Sequence, residues 1–295
     1  MIQSHSDEIV HVRADKGQWD FDNIFWRPFK ELLRFRELIG NIVARDLKVR
    51  YKRSILGVAW TVVAPLMSMT VMWAVFTLAF GVQMPNYAVY LLSGIILWNL
   101  FIQSSAAGCS SILQGAGLIR KVKLPRVIFP ISVVVNNLVN FAFAFMALLL
   151  VILVTRAPIH WTILLVPVML VPPALFCLGW AMMVSAFGVF FRDLQYILEI
   201  FLGAMFYMTP ILWKPEQLPA VIHTKIRGEV FDWSPEWIVS LNPMAKYIHL
   251  FRSVVYHGEI PGLRVYGIAL GMGFFMFVLG WVVFQKLQRK FVYWL

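Results

Sequence analysis

No Asp, Glu, Lys, Arg or His occurs between Arg53 and Arg120. A basic cluster precedes this stretch directly and consists of Arg45, Lys48, Arg50, Lys52 and Arg53. A soluble domain cannot keep so long a stretch free of charge, because its solvated faces need polar groups. A chain that crosses a bilayer can, because a charge at the membrane centre costs about 2.5–3.5 kcal/mol per residue on insertion scales. The stretch therefore predicts an integral membrane protein that crosses the bilayer twice within it.

The composition fits this prediction. Of the residues, 60% are hydrophobic and 14% charged, and the formal net charge is +11, which excludes an ordinary soluble enzyme. The positive charge does not require nucleic acid, since basic loops of membrane proteins face the anionic cytoplasmic leaflet. Cys109 and Cys177 both lie in apolar runs, so they indicate buried small hydrophobes rather than a disulfide or a metal site. The polar start of the chain shows no signal peptide pattern.

Six segments are long and apolar enough to span a membrane, which takes about 20 residues. We refer to them as the first to sixth segments: 56–80, 87–112, 127–155, 161–191, 194–213 and 265–285. In the fourth segment, Pro167, Pro172 and Pro173 predict a kinked or broken helix. A long polar loop, 214–264, separates the fifth and sixth segments.

Loop charges predict the orientation of the segments. The short loop between the second and third segments carries Arg120, Lys121, Lys123 and Arg126 and no acid. The loops on the opposite side carry no charge, Arg156 alone, or a nearly balanced set. Because basic loops stay in the cytoplasm, both termini are predicted to be cytosolic and the loop 214–264 to be outside.

A basic amphipathic helix is predicted between residues 28 and 54, after a polar tail, 1–27. Its polar residues are spaced alternately by three and four, which marks one helix face: Lys30, Arg34, Glu37, Asn41, Arg45, Lys48 and Lys52. Such a helix would lie on the cytoplasmic leaflet. The alternative is a helix of a small soluble domain, which has too few apolar residues before Pro28 to build a core.

Two short helices are predicted in the outer loop. Ser234-Pro235-Glu236 and Asn242-Pro243 each combine an N-cap residue with proline at the first helical position. The helices that follow are amphipathic, so they could lie at the outer membrane interface or dip into it.

Residues for bond-making chemistry are scarce. The chain lacks a phosphate-binding Gly-x-x-x-x-Gly-Lys-Ser/Thr loop and a His-Glu-x-x-His metal motif. The acidic residues of the outer loop indicate solvation more than catalysis, and Glu199 is the acid that interrupts the fifth segment. A proton-coupled transporter or an intramembrane enzyme would need more ionisable groups at membrane depth. We therefore predict no catalytic residues and no metal site.

Aromatic residues are the conspicuous feature of two segments. Trp73, Phe76 and Phe80 fall on one face of the first segment, and the outer part of the fifth segment carries three more. The latter are Phe201, Phe206 and Tyr207. These rings would form either a lipid-contacting aromatic belt or a stacking surface for sugar rings. Composition alone favours the belt.

Several motifs, in this order, resemble the permease subunits of ABC exporters for polysaccharides, a family that includes the O-antigen, capsule and teichoic acid exporters. The motifs are Arg45-Asp46, Arg50-Tyr51-Lys52, Leu56-Gly57, Trp60, Pro65-Leu66, the sequence LIRKVKLPR at 118–126, Arg192-Asp193, Thr209-Pro210-Ile211 and Asn242-Pro243. The resemblance covers the chain from about residue 28 to its end. Each motif is weak alone, whereas their order and spacing together are specific.

The resemblance implies an all-α integral membrane fold with six transmembrane helices, an N-terminal amphipathic interface helix and short outer gate helices. It implies a homodimer in the cytoplasmic (inner) membrane, bound to two copies of a separate ATPase subunit that holds ATP and Mg. No cofactor is expected on this chain. Lipid-linked polysaccharide and membrane lipids would be its other partners.

The resemblance also assigns three sets of residues. The substrate channel is implied to be lined by the first and fifth segments, hence by Trp73, Phe76, Phe80, Phe201, Phe206 and Tyr207. The ATPase-coupling loop is implied at Ser111, Leu118, Ile119, Arg120 and Lys121. The junction between interface helix and first segment comprises Arg50, Tyr51, Lys52, Leu56 and Gly57. Gly115 and Gly117 weaken helix propensity, so the coupling helix is predicted to be short.

The predicted function is that of the membrane channel subunit of an ATP-driven exporter for lipid-linked polysaccharide. Three alternatives differ in class. A related ABC exporter permease could move drugs or lipids, an intramembrane enzyme could act on lipid-linked sugars, and a structural anchor would need no coupling loop. The near absence of acids and histidines at membrane depth argues against the enzyme, and the basic loop argues against the anchor.

Overall fold

A computed structural model describes residues 34–52, 54–122, 124–217, 222–226, 229–233 and 236–293. Within these residues, five helices are long and apolar enough to cross a membrane. They correspond to the first, second, third, fourth and sixth segments and run Gly57–Ala79, Tyr87–Gln114, Ile128–Val154, Trp161–Phe190 and Leu263–Leu287. The predicted all-α membrane fold is confirmed. The tail 1–27 and the predicted helix start at Pro28 lie outside the described residues.

The fifth segment is shorter than predicted. Its helix, Leu194–Met208, has 15 residues and is about 22 Å long, whereas a bilayer core is about 30 Å thick. The helix ends because the residue before a proline avoids helical angles, and Thr209, before Pro210, is extended with φ −85° and ψ 136°. The predicted end at Trp213 was therefore wrong by five residues. Among the described residues, five helices are candidate spans by length and composition, and the helix Leu194–Met208 alone is too short to be a sixth.

The fourth segment is broken at its outer-loop end, as its prolines predicted. A tight 3₁₀ turn, Trp161–Leu165, leads into the short helix Val166–Met169 and then into Val171–Phe190. The prolines occupy the first turns of the two α-helices, where a missing N–H costs nothing. The long part of this segment then packs against the second and sixth segments.

Small residues allow the fourth and sixth segments to cross in close contact. A Cβ atom placed on Gly280 would overlap the carbonyl oxygen of Gly179, and one placed on Gly179 would overlap the backbone at Met276. Gly273 approaches the carbonyl of Pro172 in the same way. In membranes, where helices gain little from hydrophobic burial, such backbone approach is a main source of packing energy.

The basic end of the bundle carries the N-terminal helix, Arg36–Tyr51, and the short loop helix, Ala116–Lys121. Ile42 of the N-terminal helix is buried in a cluster with Ile128, Phe284 and Phe291, and Val43 beside it is buried too. The residues of the predicted polar face within this helix are exposed: Glu37, Asn41, Arg45 and Lys48. The described part of this helix thus buries Ile42 and Val43 and exposes these polar residues, while its place at the membrane interface stays a prediction.

The opposite end, which we term the outer-loop end, contains a two-stranded antiparallel pair and two helices. Strand Ile222–Ile226 pairs with Glu229–Trp233, with Ile226 opposite Glu229, an element that the sequence analysis did not predict. The helix Glu236–Leu241 precedes the outer helix, Pro243–Arg252, which continues into the wide turn Ser253–His257. Ser234 and Pro235 lie outside the described residues.

The outer helix is buried within the bundle rather than lying on its surface. Tyr247, Ile248, Leu250 and Phe251 have at most 1% of their surface exposed. Its predicted N-cap is confirmed, since the Asn242 side-chain oxygen accepts hydrogen bonds from the backbone of Met244 and Ala245, at 2.9 and 3.4 Å. The loop between the fifth and sixth segments therefore contributes to the core of this end.

Candidate functional site

The first segment and the fifth helix are the least covered parts of the bundle. Within its most apolar stretch, 11% of the first segment is buried, against 78% of the second segment. In the fifth helix, Leu198 and Leu202 are the buried residues. The first segment packs against the second and third segments, and the fifth helix packs mainly against the second; their outward faces are uncovered. These two faces are available to lipid, to a second copy of the chain or to a substrate.

Four of the six predicted channel residues lie on these uncovered faces. Trp73 and Phe80 of the first segment have 41% and 70% of their surface exposed. Phe201 and Tyr207 of the fifth helix have 51% and 65% exposed. These four rings can therefore contact a molecule outside this chain.

The other two predicted channel residues pack against their own chain. Phe76 is half-buried against the core and stacks on Phe80 with 5.2 Å between ring centroids. Phe206 meets Trp98 of the second segment edge-on, with a centroid distance of 5.9 Å. Phe206 also contacts Tyr207 edge-on, at 5.3 Å. Phe76 and Phe206 thus support the exposed rings.

Only some of the residues predicted for the coupling loop are exposed. The loop helix has six residues, as short as Gly115 and Gly117 predicted. Arg120 and Lys121 are exposed, whereas Leu118 and Ile119 pack against the core of the basic end. Ser111 is buried and donates its hydroxyl to the carbonyl of Gly108, at 2.7 Å. A partner at this end would therefore meet Arg120 and Lys121 first.

Beside the coupling loop, Arg126 ties the loop to the end of the chain. Its guanidinium donates a hydrogen bond to the carbonyl of Gln288 and lies 5.9 Å from the ring centroid of Phe291. Partial burial lowers the pKa of Arg126 below its usual value. A cavity of about 540 Å³ opens here between Arg34, Arg126 and Gln288, so the basic end presents a concave, positively charged surface.

The predicted junction follows the N-terminal helix directly. Arg50 and Lys52 are exposed, and Leu56 has 45% of its surface exposed. The helix ends at Tyr51, and Gly57 adopts the left-handed φ of +51°, which glycine accommodates without strain. The turn at Gly57 lets the chain change direction from the N-terminal helix into the first segment.

A buried arginine holds the outer-loop end together, and the sequence analysis missed it. Arg252, at the end of the outer helix, has 4% of its surface exposed. Its guanidinium donates to the carbonyls of Pro210, Ile211 and Tyr90, at 2.5, 3.0 and 2.9 Å, and to the hydroxyl of Ser93, at 3.3 Å. It also lies 3.5 Å from the ring centroid of Tyr90.

Arg252 therefore clamps three elements, namely the outer helix, the turn after the fifth helix and the second segment. Burial lowers its pKa to about 10, so it remains a cation at neutral pH. Gly94 makes room for it, because a Cβ atom there would lie 2.7 Å from Nη2 of Arg252. Because Lys246 and His249 precede Arg252 closely in the chain, no local pattern in the sequence distinguishes it as the buried cation.

A second link joins the same turn to the start of the outer helix. The side-chain amide of Asn242 donates to the hydroxyl of Thr209, at 2.8 Å. The hydroxyls of Tyr87 and Tyr90 donate to the carbonyls of Leu212 and Trp213, at 2.7 and 2.8 Å. The turn after the fifth helix is thus hydrogen-bonded both to the second segment and to the start of the outer helix.

The described part of the chain holds no group of three or more His, Cys, Asp or Glu side chains that could bind a metal ion. At the two ends of the bundle, polar side chains either hydrogen-bond to backbone carbonyls or present positive charge at the surface. Its aromatic groups offer flat apolar surfaces. This arrangement can guide and release a ligand, and it can pass movement between elements.

Comparison with known proteins gives consistent matches. The family model described as ABC-2 type transporter matches residues 37–256. The O-antigen export system permease protein RfbA of Klebsiella pneumoniae is 30% identical over 257 residues, covering 86% of this chain and 93% of that protein. The O-antigen export system permease protein RfbA of Myxococcus xanthus is 30% identical over 235 residues, covering 80% of this chain and 86% of that protein.

Proposed function

This chain belongs to the ABC-2 type transporter family, and we propose that it is the channel-forming permease of an exporter for lipid-linked polysaccharide. Family membership makes it the membrane subunit of a transporter and not an enzyme. The observation that carries the proposal is its similarity to O-antigen export permeases over nearly their whole length. A separate ATPase subunit would bind ATP and Mg and supply the energy.

The uncovered faces of the first segment and the fifth helix support a homodimer with a channel at its centre. The five long helices and the shorter fifth helix of one chain are too few to enclose a wide path, and the first segment and the fifth helix are the elements left open. The exposed rings of Trp73, Phe80, Phe201 and Tyr207 would then line the path. Sugar rings contact aromatic faces through dispersion and C–H contacts that are individually weak, which allows a polymer to slide.

The basic end is proposed to face the cytosol and the outer-loop end the exterior. Cys109 and Cys177 are both buried, so a single introduced cysteine can report its side of the membrane. We expect Ser240→Cys to react with an impermeant maleimide in intact cells and Arg289→Cys to react only after the membrane is opened. The reverse pattern would refute this orientation.

The proposed function is tested by deleting the gene for this chain in its own organism. Surface polysaccharide is expected to disappear while lipid-linked polymer accumulates inside the cell, and the intact gene should restore export. Unchanged surface polysaccharide after deletion would contradict the proposal.

Removing two of the exposed rings should slow export without preventing assembly. The double variant Trp73→Ala/Phe80→Ala removes aromatic surface from one side of the first segment. We expect the rate of polymer appearance at the surface to fall roughly 5- to 30-fold, since each of the two lost stacking contacts costs about 0.5–1 kcal/mol. The measurement is pulse-labelled polysaccharide at the cell surface.

The matched control for this variant is Val71→Ala/Val75→Ala, on the other side of the same helix. Val71 and Val75 are also exposed, at 58% and 43%, so the control removes exposed apolar surface from the other side of the helix, in a smaller amount and without loss of an aromatic ring. Equal effects of the two double variants would mean that the aromatic rings serve lipid contact or packing instead of conduction.

Reversing the charge of the coupling loop should weaken binding of the ATPase. Arg120 and Lys121 are the exposed cations of the loop helix, and we expect Arg120→Glu/Lys121→Glu to lower the recovery of the co-purified ATPase at least 5-fold. Leu118 and Ile119 are unsuitable for this test because they pack against their own chain. The control, Arg289→Glu/Lys290→Glu, reverses two exposed charges at the same end. If the control has the larger effect, the ATPase docks at the end of the chain.

A further inference from the structure

A polar cleft of about 520 Å³ lies between the first, second and third segments. Its polar lining includes Ser68, Asn99, Gln103, Asn137 and Asn140. Nothing in the sequence analysis assigned a role to these residues. An uncharged amide or hydroxyl at membrane depth is energetically unfavourable unless it has a polar partner. The grouping of several such residues in one cleft therefore indicates a functional role.

The cleft reaches from the basic end to about the middle of the membrane. Ser68 lies 11 residues into the first segment and Asn140 lies 12 residues into the third, or about 16 and 18 Å along their helices. A bilayer core is about 30 Å thick. At the basic end, Arg50 and Trp60 also line the cleft, and both are exposed. A ligand can therefore have one end at the membrane surface and the other at mid-membrane.

The side chains at the floor of the cleft lack some of their hydrogen-bond partners. Asn137 donates to the hydroxyl of Ser104 at 3.2 Å, and Asn140 donates to Oδ1 of Asn137 at 3.4 Å. Asn140 has 8% of its surface exposed, and its own Oδ1 has no partner among the described residues. An unpaired buried acceptor is unfavourable, and a donor on a bound ligand would satisfy it.

The chemistry of the lining selects one class of ligand. Neutral amides and hydroxyls pair with the hydroxyls of a sugar, and the ring of Trp60 offers a flat face at the rim. The guanidinium of Arg50 suits a phosphate, with which arginine forms paired hydrogen bonds. Since rim residues on the first segment are exposed, a lipid tail attached to that phosphate could stay in the bilayer.

We propose that this cleft binds the phosphate-linked sugar at the lipid end of the substrate, with the phosphate at Arg50 and the sugar at Gln103 and Asn140. The inference rests on the proposed function and adds a binding site to it. The cleft would recognise the lipid-linked end of the polymer before the channel conducts the rest.

The test is an equilibrium binding titration on the chain purified with its ATPase in lipid nanodiscs. The probes are decyl N-acetylglucosaminyl diphosphate and the phosphate-free decyl N-acetylglucosaminide. We expect Gln103→Leu and Asn140→Leu each to raise the Kd of both probes about 10-fold. Arg50→Gln should raise the Kd of the diphosphate probe alone. Gln103 and Arg50 are exposed, so their variants should fold normally even if Asn140→Leu does not.

The matched control is Asn136→Leu, which also removes a buried amide whose oxygen lacks a partner among the described residues but does not line the cleft. Its Kd values should stay within 2-fold of the wild type. The site is overturned if the wild type binds neither probe, if Asn136→Leu matches Asn140→Leu, or if phosphatidylglycerol competes as well as the diphosphate probe. It is also overturned if the Ser68→Cys variant crosslinks to a second copy of the chain, which would then fill the cleft.

The outcomes for the cleft and for the proposed function can be told apart. Absent probe binding with normal export would reject the cleft alone, whereas loss of the gene without loss of export would reject the proposed function.

Discussion

Replacing Gly280 with leucine is expected to be one of the two most disruptive single changes in the chain. The backbone of the fourth segment lies against this glycine, and any Cβ atom there overlaps the carbonyl oxygen of Gly179. Because that atom is backbone, no rotation of a side chain can relieve the overlap, and the two segments must separate. Overpacking of this kind costs about 3 kcal/mol, which lowers the Tm by roughly 6–12 °C in a protein of this size.

The matched control is Gly271→Leu in the same helix. Gly271 is exposed, and a Cβ atom placed there has no atom within 4 Å. Both variants gain the same helix propensity, so the difference between them isolates the crossing with the fourth segment. The measurement is the thermal unfolding of purified protein, together with the amount recovered from membranes. Equal Tm values for the two variants would show that the fourth and sixth segments do not cross at Gly280.

Replacing Arg252 with leucine should have a comparable effect, centred on the outer-loop end. The change removes the arginine donor from the buried carbonyls of Pro210 and Ile211, whereas the carbonyl of Tyr90 keeps its hydrogen bond from the hydroxyl of Ser93. An unsatisfied buried acceptor costs about 1–3 kcal/mol, so we expect a loss of about 3–5 kcal/mol in unfolding free energy. Arg252→Lys should recover only part of this loss, because an ammonium cannot reproduce the planar set of guanidinium donors.

The control for this prediction is Arg264→Leu, which removes an exposed arginine from the start of the sixth segment. Protease protection of the outer loop gives a local readout beside the Tm. We expect the loop of the Arg252 variant to be cleaved much faster, while the loop of the Arg264 variant resembles the wild type. If both arginine variants are equally stable and equally protected, the clamp does not hold the outer helix.

The sequence was most informative where a local pattern determines local structure. The charge-free stretch placed the first two segments within a few residues of their observed ends, and Asn242-Pro243 placed the start of the outer helix. The pattern also signalled the break in the fourth segment through Pro167, Pro172 and Pro173. In each case the cause is local, namely the loss of an N–H, a capping side chain or the absence of charge.

The sequence was least informative where residues far apart in the chain meet. The contact of Arg252 with Tyr90 spans 162 positions, and that of Gly280 with Gly179 depends on a crossing that no local pattern determines. The predicted end of the fifth segment at Trp213 failed although Thr209-Pro210 carried the stop signal, because the residues after it remain apolar. They are apolar because they pack against the second segment.

Among the predicted channel residues, the face shared by Trp73 and Phe80 was visible from helical spacing. The contacts of Phe76 and Phe206 with neighbouring side chains could not be predicted in this way. Helical periodicity gives the angle of a residue around the axis of its helix, but it does not give the positions of other helices. The polar cleft could not be predicted either, because its lining comes from three segments whose relative positions the sequence pattern does not give. Asparagines within an apolar helix were its only sequence signal.

The most direct test of the account is ATP-dependent movement of polymer in proteoliposomes containing this chain and its ATPase. Lipid-linked polysaccharide is supplied in the leaflet that faces the ATPase, and a glycosidase that cannot cross the membrane is added on that side at intervals. We predict that ATP makes the polymer progressively resistant to the enzyme, that Trp73→Ala/Phe80→Ala slows this change, and that omitting the chain abolishes it. Polymer that remains fully cleavable in the presence of ATP, or that becomes protected without this chain, would contradict the account.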